Sequence, residues 1–82
     1  GNVSGQETTK KPAKKADLLT INVTAQSDAQ AWFNSFDDKG RKAQIAKYGS
    51  ERAAKAAQGK IYFDALLTSH GYAKGSATYD PR

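Results

Sequence analysis

Residues 50–71, SERAAKAAQGKIYFDALLTSHG, constrain this chain more than any other stretch. A Ser suited to an N-cap opens it, and a Gly suited to the left-handed position after a helix closes it. Good helix formers fill most of the interval. Ala54, Ala57, Ile61 and Ala65 recur at spacings of three and four, which predicts one long helix with that stripe inward. From Ile61 to Leu67 only Asp64 is polar, so the second half is expected at the centre of the core. Arg52, Lys55 and Lys60 fall away from the Ala stripe, so the same helix would anchor the core and present positive charge. Gly59 weakens such a helix by about 1 kcal/mol relative to Ala. Its place after four alanines predicts that another backbone packs closely there.

The rest of the chain must fold around that helix with little material. Residues 1–16, GNVSGQETTKKPAKKA, contain one larger apolar residue and read as a disordered basic arm carrying Lys10, Lys11, Lys14 and Lys15. Residues 17–82 then form one small domain, of a size that folds only marginally, so its eight aromatics are expected in the core. The KKPAKK run of the arm resembles the Lys/Ala/Pro tails of linker histones. That resemblance implies lysines that contact phosphates without reading sequence.

Within the domain, residues 18–24, LLTINVT, alternate apolar and polar with β-branched content and predict a half-buried strand. Such a strand needs a partner, either residues 76–79 or a second copy. A strand followed by helices and paired across a dimer resembles the layout of ribbon-helix-helix proteins, which implies Thr20 and Asn22 as outward readers. Residues 27–38 predict the next helix, with Ser27 and Gln30 as a capping box and Ala29, Trp32, Phe33 and Phe36 inward. Asp37 or Asp38 then caps a short helix over 40–48, with Ala43, Ile45 and Ala46 inward. Residues 72–82 are loop-like, with a short strand over 77–79. The fold class expected is mainly α: one N-terminal strand, a three-helix bundle and a disordered basic arm. The turn at Gly49 between two helices resembles a helix-turn-helix, although Ile45 and Lys55 stand where a small and an apolar residue belong in that motif.

Charge separates the function classes. Residues 17–38 hold four Asp and no base, whereas residues 39–60 hold seven Lys and Arg against Glu51 alone. No Cys is present, which excludes disulfides, thiolate nucleophiles and Cys-held metals and fits a reducing compartment. No apolar run approaches the roughly 18 residues of a membrane span. The only His, His70, sits where it would cap the long helix, and its sequence neighbours Tyr72 and Lys74 add only proximity. Asp37 and Asp38 are adjacent and do not face each other on a helix, so they form no metal site. No phosphate loop or dinucleotide fingerprint occurs. A non-enzyme with no cofactor, metal or small-molecule substrate is expected, cytoplasmic or associated with a nucleoid or virion.

Nucleic acid, duplex DNA first, is the expected partner. Arg41, Lys42, Lys47, Arg52, Lys55 and Lys60 would form the phosphate-contacting surface, with Lys10, Lys11, Lys14 and Lys15 as a second anchor. Any base reading would fall to Ser50, Arg52 or Lys55 at the start of the long helix. The alternative is a protein-interaction or assembly module, such as a viral or mobile-element accessory protein. Its Asp-rich face would meet the Lys-rich face of another copy.

Overall fold

The computed structural model describes residues 15–82. Three helices follow one another: α1 (Lys15–Asn34), α2 (Asp38–Tyr48) and α3 (Glu51–Ser69). Residues 70–82 then run back over α1 and α3 without a strand. Among the described residues, no helix is long and apolar enough to cross a membrane. The arm expected over 1–16 lies outside the described residues, apart from positions 15 and 16 at the start of α1.

The strand expected over 18–24 is instead part of α1. No Gly or Pro interrupts the chain between Pro12 and Gly40. One stripe, Ile21, Ala25, Ala29 and Phe33, steps by four along the helix and is buried throughout. Helical pairing also satisfies every interior backbone group locally, which a lone strand cannot do. The cost of the β-branched residues, a few tenths of a kcal/mol each, is small beside that. The alternation therefore splits: Ile21 points inward, while Leu19 and Val23, 65% and 61% exposed, lie one turn apart on the opposite face. Ser27 is exposed inside the helix rather than capping one, and the described residues hold no ribbon for a dimer to pair.

The corner between α1 and α2 is held by local bonds. Asp37, in an extended conformation, accepts from the Gly40 amide at 2.8 Å and caps α2, as one of the two aspartates was expected to. The Arg41 guanidinium donates to the Phe36 carbonyl and pairs with Asp38. Trp32 and Phe36 meet edge to face, with ring centroids 5.3 Å apart, half-buried beneath this corner. α2 ends at Gly49, whose φ of 101° is left-handed and whose amide donates to the Ile45 carbonyl at 2.7 Å. Of the residues expected inward on α2, Ile45 is half-buried and Ala43 and Ala46 are exposed.

α3 begins where predicted: the Ser50 hydroxyl accepts from the Ala53 amide at 3.0 Å. It ends in a Schellman pattern, with Gly71 donating to Thr68 and Tyr72 donating to Leu67. Tyr72 is thereby delivered into the core, and its hydroxyl donates to Asp17 of α1. The buried face of α3 is Ala54, Gly59, Phe63 and Leu67. Ile61, expected inward, is 58% exposed, and Ala65 is exposed beside it. The stripe is rotated because Phe63 and Leu67, the larger apolar pair, take the interface with Ile21 and Ala25 of α1.

Gly59 does permit a close approach, but by a ring rather than a backbone. A Cβ built there would stand 2.4–2.6 Å from the Tyr79 hydroxyl and ring carbons. Tyr79 also packs on Phe63, centroid to centroid 5.6 Å. The last residues are held against α1 by side chains rather than by a strand. The Asn22 amide donates to the Asp80 carbonyl at 2.7 Å and accepts from its N–H at 2.8 Å. Gln26 donates to the same carbonyl at 3.2 Å. Residues 77–79 form no strand, and Asn22 is committed to Asp80.

A sign test follows from Gly59. In the intact chain, Gly59→Ala is expected to lower the urea midpoint, because overpacking against Tyr79 costs about 1–3 kcal/mol. In a Tyr79→Ala background the same change is expected to stabilise by about 1 kcal/mol through helix propensity. Stabilisation by Gly59→Ala in both backgrounds would mean that Tyr79 does not rest there.

Candidate nucleic-acid interface

The six folded-domain bases expected to face phosphates divide into two groups. Arg41 is engaged at the α1–α2 corner with Phe36 and Asp38. Lys55, its side chain only 26% exposed, pairs with Glu51 at 2.9 Å and donates to Gln30 Oε1 at 2.9 Å, while lying 5.8 Å from the Phe33 ring centroid. Lys60 pairs with Asp64 at 3.3 Å. Each of these ion pairs spans three or four residues of one helix, the spacing that brings side chains together. Such pairs contribute little to stability, but each weakens the pull of its base on a phosphate by placing a carboxylate beside it.

Lys42, Lys47 and Arg52 carry no carboxylate partner among the described residues. Lys47 instead lies 5.2 Å from the centroid of Tyr48. On α2 the exposed residues Lys39, Lys42, Ala43, Ala46 and Lys47 fall within one arc, at spacings of three, four and seven or eight. The opposite arc, Gln44, Ile45 and Tyr48 with Arg41, is half-buried. The outer face of α2 is thus three ammonium groups interleaved with two methyl side chains. Short alanines let a large surface come close while the lysines reach past them. Lys39 belongs to this set although it was not among the bases expected there; its place three and eight residues before Lys42 and Lys47 was the signal.

The start of the long helix contributes less than expected to base reading. The Ser50 hydroxyl is used by the Ala53 amide and Lys55 is tied to Glu51 and Gln30, leaving Arg52 exposed and free among the described residues. Lys10, Lys11 and Lys14 lie outside the described residues, and Lys15 opens α1.

The acidic segment is likewise engaged internally. Asp17 accepts from Tyr72, Asp37 caps α2 and Asp38 pairs with Arg41, so only Asp28 of that segment has no partner among the described residues. At the C-terminus, hydrogen bonds from Arg82 hold the Asp80 carboxyl below its usual range, and burial, then the Asp80 charge, raises the Tyr79 phenol. Among the described residues, no three His, Cys, Asp or Glu side chains gather as metal ligands. No protein-family model, curated protein or solved structure matches this chain.

Proposed function

We propose that this chain is a small nucleic-acid-binding domain that docks the outer face of α2 on the phosphate backbone of duplex DNA. The observation that carries this reading is the unpaired lysine row Lys39, Lys42 and Lys47 with Ala43 and Ala46 between them. Ammonium groups that no carboxylate pairs keep more of their pull on phosphates than paired ones do, and they release counterions when they bind. Point charges on flexible stems impose little geometry on the groups they contact, so the binding is expected to be largely independent of sequence. The basic arm adds a second, tethered anchor in this reading.

Charge-driven self-association, the competing reading, finds less support. Its negative face would need the α1 aspartates and their neighbours before α2, and three of these four are engaged within the chain. Its positive face would be the same lysine row, which suits phosphates equally well.

Single substitutions separate the two groups of bases. In fluorescence anisotropy with a labelled 20-base-pair duplex near 0.1 M salt, Lys42→Gln is expected to weaken binding several-fold, up to about tenfold. Lys60→Gln, which removes a base already paired with Asp64, is expected to stay within about twofold. Equal losses from both would mean that net charge alone governs binding. No binding of the intact chain at low salt would end the nucleic-acid reading.

A further inference from the structure

We infer that the cleft between α1, the first turns of α3 and the C-terminal residues holds a single unpaired nucleotide. The inference rests on the nucleic-acid reading above and adds a second, chemically different site to it. The cleft measures about 410 Å³, within the range of small-ligand sites. That volume admits one base with its sugar and phosphate.

Its charge is simple. Glu51 and Lys55 line it but cancel each other through their 2.9 Å pair. Arg52 remains as the one uncompensated group, exposed and free of any carboxylate among the described residues. A guanidinium offers a planar fork of donors that matches two oxygens of one phosphate. A lysine row such as that on α2 has no such geometric preference.

The rest of the cleft suits a base. The Tyr79 ring is fixed by its seat on Gly59 and Phe63, and Pro81 and Ala56 add flat apolar surface beside it. A preformed aromatic wall stacks a base without ordering cost. A tyrosine phenol is neutral at pH 7, so Tyr79 offers no negative charge to repel a phosphate. Gln26 donates through its NH₂ to the Asp80 carbonyl and to a main-chain oxygen of Arg82, leaving its amide oxygen to accept from an exocyclic amino group. Gln30 has no such freedom: it accepts from Lys55 and donates to Asn34 at 3.0 Å. One guanidinium, one ring wall and one open acceptor fit a nucleotide better than a bare anion.

The nucleotide can come from a single strand or from a free mononucleotide, and the test separates the two. Binding of the full chain is measured to a 20-nucleotide single strand and to the duplex of the same sequence, for wild type, Arg52→Gln and Ala56→Leu. Adenosine 5′-monophosphate is titrated in parallel, followed by the NMR signals of Gln26 and Tyr79. Ala56→Leu fills the cleft without changing charge. Arg52, being exposed, keeps the test informative if the larger side chain disturbs folding.

Both variants are expected to weaken the single strand about tenfold and to leave the duplex within twofold. Equal weakening of both nucleic acids by Arg52→Gln would reduce Arg52 to one more backbone contact and overturn the inference. Unchanged single-strand binding in both variants would overturn it as well, while α2-dependent duplex binding could still stand. If neither nucleic acid binds but the mononucleotide moves the cleft signals in wild type and not in the variants, the nucleic-acid reading falls and the cleft stands as a free-nucleotide site.

Discussion

Phe63→Ala is expected to abolish cooperative unfolding at 25 °C. Phe63 is 1% exposed, packs with Ile21, Ala25, Leu67 and Tyr72, and supports the Tyr79 ring that locks the C-terminal residues. Truncating a buried Phe costs about 3–5 kcal/mol through lost transfer energy and the cavity left behind. At about 0.05–0.15 kcal/mol per residue, a domain this small has a total stability of the same order. Helix content by circular dichroism should fall, and the sharp thermal transition should become a shallow slope. Ile61→Ala is the matched control: two residues earlier on the same helix but 58% exposed, it should cost within about 0.5 kcal/mol. A reversal, with Ile61 sensitive and Phe63 tolerant, would show that α3 is rotated from the register described above.

The second large effect is on binding. The triple change Lys39→Gln, Lys42→Gln and Lys47→Gln is expected to lower duplex affinity near 0.1 M salt by two to three orders of magnitude. Each phosphate contact contributes a factor of roughly eight at that salt, from a slope of about 0.9 per contact. The fold should survive, because all three side chains are exposed and Gln and Lys have nearly equal helix propensity. A circular dichroism melt within a few degrees of wild type is therefore the control that makes the binding loss interpretable. Loss of binding with loss of fold would be traced by the single variants instead.

Much of the skeleton was legible because it depends on local chemistry. Ser50 as an N-cap, an Asp before the second helix, Gly49 as a stop and Gly71 after the last helix all act within a few residues of themselves. What depended on distant partners was not legible. Over 18–24 the two-residue alternation was real, but the four-residue stripe from Ile21 to Phe33 outweighed it, and that stripe acquires meaning only against Phe63 and Leu67. The rotation of α3 has the same origin. The Ala stripe through Ile61 was regular, yet burying Phe63 and Leu67 removes more apolar surface from water. Gly59 marks a point of close approach in the sequence, and only the tertiary fold reveals that the visitor is Tyr79.

The candidate interface was legible in outline only. Its basic segment is evident from composition, but composition does not separate the paired bases from the unpaired ones. The pairs Asp38–Arg41, Glu51–Lys55 and Lys60–Asp64 all stand at helical spacing and could have been subtracted from the sequence alone. The same spacing would have grouped Lys39 with Lys42 and Lys47. The cleft beside Arg52 could not have been found, since it joins residues from α1, α3 and the C-terminal segment.

The measurement that bears most directly on the central claim is duplex affinity across a salt series, for wild type and the triple lysine variant side by side. The difference in slope counts the contacts made by the α2 row, whatever the arm contributes to both proteins. The expected result is a slope for log affinity against log salt that is less steep in the variant by about 2.7, the value for three released contacts. Parallel slopes would contradict the proposal, because they would show that the outer face of α2 does not touch the phosphate backbone.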